Sequence, residues 1–308
     1  MIRVKDVSKS FGRIQALDSV SFQIEKGEVV GLLGPNGAGK TTAMRILTSF
    51  LSPDGGEVFI KGKSLFPHSE ESKSLIGYLP EDTPLYSNMS VDEFLLYCAA
   101  LKGIPKKKIV SSLEESVQKC QLQNVRKRII GKLSKGYRQR VGLAQALISN
   151  PEILIFDEPT VGLDPSQVVQ VRNLIKELRK DRTIIISTHI LTEVEAVCEK
   201  VIIIHQGRIV KQSGMDELTS PSAGAVRITL EFKGEKEEFI KACRTIEGVT
   251  GIIETSVGSV IVETLSPSEE RVRERIFHAA VSSKTTLLEM KKDKVTLESI
   301  FLELTQKE

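Results

Sequence analysis

The sequence predicts an α/β domain followed by a small α+β module, and three observations predict it. Short apolar runs suited to buried strands alternate with amphipathic helical stretches from Ile2 to about Ser213. A glycine-rich turn, "GPNGAGKTT", sits between one such run and one such helix. Beyond a Ser-, Gly- and Pro-containing stretch at about Gly214–Ala225 the order becomes strand, helix, strand, strand, helix, strand and a last helix. The length of 308 residues agrees, since single cores usually stop growing before that size.

Taken in order, "EVVGLLG" (Glu28–Gly34) reads as a buried strand. "KTTAMRILTSF" follows with helical spacing, placing Met44, Leu47 and Leu51 on one stripe. A mainly helical segment, about Val91–Ile148, interrupts the strands. "EILIFDEPT" (Glu152–Thr160) and "RTIIIST" (Arg182–Thr188) are two more buried strands. The helix "DPSQVVQVRNLIKELRK" between them is opened by Asp164 and Pro165, both good starting residues. These elements make a first domain of residues 1–214. Residues 226–308 form the second, whose β-α-β-β-α-β order resembles a ferredoxin-like module.

Bulk composition excludes several classes. Lys plus Arg exceeds Asp plus Glu by 43 − 40, and a net charge of +3 is too weak to argue for nucleic acid. The longest apolar run, Phe94–Leu101, falls far short of the roughly 20 residues a membrane helix needs. The opening "MIRVKDVSKSFG" lacks the apolar centre of a signal peptide. Cys98, Cys120, Cys198 and Cys243 form no C-x-x-C pair and read as reduced packing thiols, and no His is spaced for zinc.

Chemistry begins at Gly34–Thr41, a full match to G-x-x-x-x-G-K-[ST]. Glycine costs more ordering entropy than any other residue, so Gly34, Gly37 and Gly39 need a reason to cluster. Without side chains there, backbone N–H groups can curl around phosphate oxygens while the next helix aims its positive end at them. In that pattern Lys40 bridges the β and γ phosphates of a nucleoside triphosphate and Thr41 places its hydroxyl on Mg²⁺. A carboxylate for the metal comes from "ILIFDEPT". Asp157 ends a buried strand, where its charge is costly unless a cation faces it. Glu158 is the natural base to orient water toward the γ-phosphate.

"LSKGYRQR" (Leu133–Arg140) lies upstream of Asp157. Together with the phosphate loop it resembles the signature of ATP-binding-cassette (ABC) ATPases, commonly L-S-G-G-Q. The order of Phe11, the loop, "GYLPE" (Gly77–Glu81), the signature, Asp157–Glu158, "GLDP" (Gly162–Pro165) and His189 agrees with that family. The resemblance implies a P-loop NTPase fold with a helical subdomain. It sets Phe11 on adenine and Gly34, Pro35, Asn36, Gly37, Ala38, Gly39, Lys40, Thr41 and Thr42 around ATP. His189 becomes a γ-phosphate switch beside Glu158 and Lys40, and Asp164 a dimer-seam residue as well as a helix cap. Ser134, Lys135 and Gly136 would touch the ATP of an opposite subunit. The implied unit is therefore a head-to-tail dimer, of two copies or with a paralogous ATPase, holding two nucleotides.

Lys135 and Tyr137 replace the signature's usual Gly and Gln, and Glu81 stands where most members carry Gln. A carboxylate accepts hydrogen bonds but cannot donate them, so Glu81 can serve Mg²⁺ while altering signals to a partner. These departures, with "PLY" and the tail "TLESIFLELT", resemble an exporter-type subgroup that includes drug-efflux and gliding-motility ATPases. That subgroup implies separate multispanning permease subunits and a peripheral position on the cytoplasmic face of the membrane. Phe94, Leu95 and Tyr97 then either line the permease groove or are plain helix core. A second function class, a mechanical ATPase acting on nucleic acid or ribosomes, is disfavoured. The gap Thr42–Leu133 has no sustained heptads, and the basic run Arg126–Arg140 has only Tyr137 to stack on bases.

Overall fold

A computed structural model describes residues 1–67, 70–219, 225–234, 236–256, 258–265, 269–293 and 297–306. It divides into two compact units, Met1–Gly214 and Met215–Glu308.

The first unit opens with two consecutive strands, β1 (Ile2–Phe11) and β2 (Ile14–Ile24), paired antiparallel. Strict alternation of strand and helix therefore fails at the start of the chain. Then follow β3 (Val29–Leu33), α1 (Lys40–Leu47), β4 (Gly55–Ile60), β5 (Lys63–Ser64), α2 (Glu70–Ser74) and β6 (Ile76–Leu79). The helical segment consists of α3 (Val91–Leu101), α4 (Lys106–Lys119) and α5 (Lys135–Leu147). The unit closes with β7 (Ile153–Asp157), α6 (Pro165–Leu178), β8 (Thr183–Thr188), α7 (Leu191–Val197), β9 (Lys200–His205) and β10 (Arg208–Gly214).

Two sheets result. A four-stranded antiparallel sheet has the order β2-β1-β4-β5, and a six-stranded sheet the order β10-β9-β3-β8-β7-β6. All neighbours in the larger sheet are parallel except β10 with β9. Its central strands β3, β7 and β8 are buried at every position, as parallel strands covered on both faces must be. One core joins the two sheets around α1, with Val4, Phe22 and Val58 on one side and Ile155, Ile185 and Ile202 on the other.

Local chemistry explains the helix ends. Helix α1 stops at Leu47, short of the predicted stripe. Ser49 takes a left-handed conformation (φ 56), while the Phe50 and Ser49 amides donate to the Arg45 and Ile46 carbonyls. That is a Schellman closure made by serine instead of glycine. Leu51 lies outside the helix yet still packs on the core. A capping box between Ser90 and Glu93 starts α3. Ser134 caps α5, and Asp164 with Pro165 starts α6. Part of the basic run is paired: Arg126 donates to Asp92 at 2.9 Å and to Glu114 at 2.8 Å, tying α3 to α4.

The second unit contains α8 (Met215–Thr219), β11 (Ala225–Lys233), α9 (Lys236–Arg244), β12 (Val249–Ser256), β13 (Ser259–Leu265), α10 (Glu269–Ser282), β14 (Thr286–Asp293) and α11 (Leu297–Gln306). The stretch read as linker thus begins with a short helix; residues 220–224 lie outside the described residues. The antiparallel order β12-β13-β11-β14 is that of a split-βαβ module. Its own core gathers Ile228, Leu230, Phe239, Val262 and Ile276.

Candidate active site

Register brings the chemistry to one edge of the parallel sheet. Leu33 is opposite Thr188 across β3 and β8, and Asp157 is opposite Ser187 across β7 and β8. The segments that leave these strands, Gly34–Gly39, Glu158–Asp164 and His189–Ile190, emerge side by side beyond their carboxyl ends. That is where open α/β sheets bind ligands.

The loop Gly34–Gly39 is moulded by close approaches. A Cβ on Gly34 would lie 2.4 Å from the Ile204 carbonyl oxygen, and one on Gly39 would lie 2.4 Å from that of Ala16. Gly39 also has φ 108, a conformation L side chains rarely adopt. Between them, Asn36 and Gly37 are exposed and Ala38 is buried, its carbonyl accepting from the Gly207 amide at 3.0 Å. Lys40, buried at the start of α1, donates from Nζ to the carbonyls of Gly34 (2.8 Å) and Pro35 (3.2 Å). Its ammonium lies 3.7 Å from Glu158 Oε1.

Glu158 is the hinge of the cluster. Its backbone is left-handed (φ 48), and its amide donates to the Ser187 carbonyl at 3.1 Å and to Ser187 Oγ at 3.2 Å. Its Oε1 is 2.9 Å from His189 Nδ1, with the His189 side chain half-exposed. Asp157 is completely buried and accepts from the Ser187 hydroxyl through Oδ1. Burial pushes its carboxyl above the ordinary value of 3.8, while the Ser187 and Thr41 hydroxyls pull it down. Asp157 Oδ2 and Glu158 Oε2 are buried without a hydrogen-bond partner, an arrangement that favours a cation. Mg²⁺ is held by one or two carboxylates plus phosphate oxygens, and Asp157 with the Thr41 hydroxyl is a donor set of that kind. Among the described residues no group of three or more His, Cys, Asp or Glu forms an all-protein cage.

The remaining predicted residues lie elsewhere. Ser134 accepts from the Tyr137 amide at 3.4 Å as the cap of α5. Lys135 lies over Gly162, where a Cβ would meet its Nζ, and Gln167 of α6 covers Gly136. Asp164 caps α6 by accepting from the Gln167 amide at 2.9 Å. The starts of α5 and α6 thus form a second group. Phe11 is 49% exposed at the end of β1, with Lys9 Nζ 5.9 Å from its ring centre. Glu81 is exposed beyond β6, the strand next to β7, and its charge and that of Asp157 help burial push the Tyr78 hydroxyl up to about 12.

Sequence reasoning missed several supporting residues. Buried Gln139 on α5 donates to the Pro159 carbonyl at 2.8 Å, so the signature helix touches the loop that carries Glu158. Ser187 holds both Asp157 and the Glu158 amide. Thr160 donates to Glu193, whose carboxyl burial pushes up against the pull of Thr160 and Arg172. The only sequence signal for Ser187 was its place in "ISTH", beside the predicted histidine.

A groove of about 740 Å³ flanks the helical segment, lined by Arg45, Phe50, Tyr78, Tyr86, Tyr97 and Leu101 among others. Leu95 is a core residue, Phe94 is buried yet lines the groove, and Tyr97 lines it too, 38% exposed and edge-on to Tyr86 at 5.5 Å.

Comparison with known proteins agrees with this geometry. The family profile described as ABC transporter matches residues 17–161. The bacitracin transport ATP-binding protein BcrA of Bacillus licheniformis is 39% identical over 220 residues, covering 71% of this chain and 71% of its own. The linearmycin resistance ATP-binding protein LnrL of Bacillus subtilis is 28% identical over 306 residues, 99% of this chain and 98% of its own. Among solved structures, the dimeric post-hydrolysis state of the ATP-binding cassette MJ0796 bound to ADP and Pi superposes with a TM-score of 0.64. It is 26% identical and covers 70% of this chain and 99% of that one. The chain belongs to the ABC transporter family as an ATP-binding subunit. It is an ATPase whose substrate is ATP with Mg²⁺.

Proposed function

We propose that this ATPase powers an exporter: two copies, or one copy and a paralogous ATPase, close head to tail on two Mg-ATP and drive a separate membrane permease. The observation that carries the reading is the convergence of Lys40, Glu158 and His189, with 3.7 Å from Lys40 Nζ to Glu158 Oε1 and 2.9 Å from that oxygen to His189 Nδ1.

Within each half-site the residues take distinct tasks. The half-exposed ring of Phe11 stacks on adenine. The loop from Gly34 through Ala38 and Gly39 to Thr41 and Thr42 cradles the phosphates, and Lys40 exchanges its carbonyl partners for the β and γ oxygens. Thr41 and Asp157 would hold Mg²⁺, with Glu81 at the adjacent strand end, and the bound ion would supply positive charge beside the triphosphate. Glu158 orients and deprotonates water, and His189 reaches the γ-phosphate while its Nδ1–H donates to Glu158. Ser134, Lys135 and Gly136 of one copy complete the pocket of the other, and Asp164 lies at the seam. Moving such a clamp from 1:99 to 99:1 takes about 5.5 kcal/mol of differential binding. A few charge-assisted hydrogen bonds at about 1.5–3 kcal/mol each supply it.

Transport needs a permease, because no helix among the described residues is long and apolar enough to cross a membrane. The aromatic groove beside α3 fits an amphipathic helix from such a subunit, which sets this chain peripherally on the cytoplasmic face. Relatives named for bacitracin transport and linearmycin resistance support export.

The test is Glu158→Gln. ATP affinity is expected to persist while turnover drops about 10²–10⁴-fold and an ATP-bound dimer accumulates, read by nucleotide titration, phosphate release and size-exclusion chromatography. Unchanged turnover refutes the assignment. Recovery of the dimer with multispanning subunits from a detergent extract tests the permease.

A further inference from the structure

We propose that Glu193 is a positioning residue for hydrolysis, a clamp that holds Glu158 and His189 in register. The residue lies on α7 and is only 4% exposed. Oε1 accepts from the Thr160 hydroxyl, and Oε2 lies 3.5 Å from the Thr188 hydroxyl, itself the acceptor for the Ile190 amide at 3.0 Å. Thr160 is two residues past Glu158, and Thr188 directly precedes His189. Since Glu158 Oε1 and His189 Nδ1 are 2.9 Å apart, these links close a ring. It runs from Glu158 along the chain to Thr160, through Glu193 to Thr188, on to His189 and back to Glu158.

The ring answers a physical need. Glu158 sits in a left-handed conformation, which persists only where its surroundings over-determine it. Ser187 and Gln139 hold the backbone on either side of that residue, but neither reaches Thr160. Among the described residues Thr160 is otherwise held only within its own turn, through the Leu163 amide, and Glu193 joins both segments with one side chain. Burying a carboxylate is costly, and an apolar residue would serve for packing alone. Arg172 pulls the Glu193 carboxyl down through its charge, while the hydrogen bonds to the acid come from the Thr160 and Thr188 hydroxyls.

The inference rests on Glu158 and His189 serving hydrolysis, and the experiment separates the two ideas. Turnover and ATP affinity of the full chain are measured for Thr160→Val, Glu193→Ala, Glu193→Gln, the Thr160→Val/Glu193→Ala pair and Glu158→Gln. Thr160→Val and Glu193→Ala are each expected to lower kcat about tenfold or more, since small misplacements of reacting groups are expensive, with ATP affinity unchanged. Glu193→Gln, whose amide oxygen still accepts from Thr160, should recover most of the rate. The double variant should be no slower than Glu193→Ala alone. Wild-type kcat in Thr160→Val, additive losses, or parallel loss of ATP affinity overturns the proposal. If Glu193→Ala does not fold, Thr160→Val decides alone. Full turnover in Glu158→Gln overturns the underlying reading as well, whereas an inactive Glu158→Gln beside a fully active Thr160→Val rejects only the clamp.

Discussion

Asp157 has no solvent exposure, one oxygen bonded to Ser187 and the other bonded to nothing. Burial raises its carboxyl above 3.8, so between that value and the folded one the native chain holds a proton the unfolded chain has released. Wild-type stability therefore falls as pH climbs through this window, and the full cost of the buried charge is present only above it. Asp157→Asn removes the titration. It is expected to stabilise the nucleotide-free chain by about 1–2 kcal/mol above this window and by nothing below about pH 3.8, while abolishing Mg-dependent nucleotide binding. Chemical denaturation at several pH values checks the first part, titration with Mg-ATP the second. Lys40, Asp157 and Glu158 were legible because each follows from a contiguous pattern. Glu193 was not: an acid in an amphipathic helix looks solvent-facing until the fold buries it.

Among the elements, α6 begins at Asp164, the cap of the helix and the residue that the proposed dimer sets at its seam. Asp164→Ala should lower the melting temperature by about 2–4 °C, since Ala cannot accept from the Gln167 amide. Asp164→Ser keeps a cap of equal quality and should melt like the wild type. An ATP-dependent dimer that is still weakened in the serine variant, measured in a Glu158→Gln background, then belongs to the carboxylate. The buried strands β3, β7 and β8 were readable as uninterrupted apolar runs. The hairpin β1–β2 was not, because its period of two slips. Asp6 and Ser19 are left-handed and the pairing shifts register between Val4 and Val7 and again before Lys9, so inward residues do not alternate evenly. The early end of α1 escaped for a similar reason: serine, not glycine, takes the closing conformation.

For the whole molecule, every residue assigned to the site lies in Met1–Gly214, and each unit has a core of its own. The fragment Met1–Gly214 is expected to fold cooperatively and hydrolyse ATP, leaving assembly or coupling to the permease as the task of Met215–Glu308. A fragment that cannot fold, or that folds and transports normally with its permease, would reject this division of labour. The change of pattern near Gly214 was visible in the sequence because a ferredoxin-like order is local. The shared sheet edge was hidden, because it depends on the strand order β9-β3-β8-β7, which places segments more than a hundred residues apart side by side. The Gln139–Pro159 bond carries an evolutionary corollary. A drifting helix or a lengthened loop would strand a carbonyl in the interior one residue from Glu158, so lineages of such ATPases must revise these two stretches in concert.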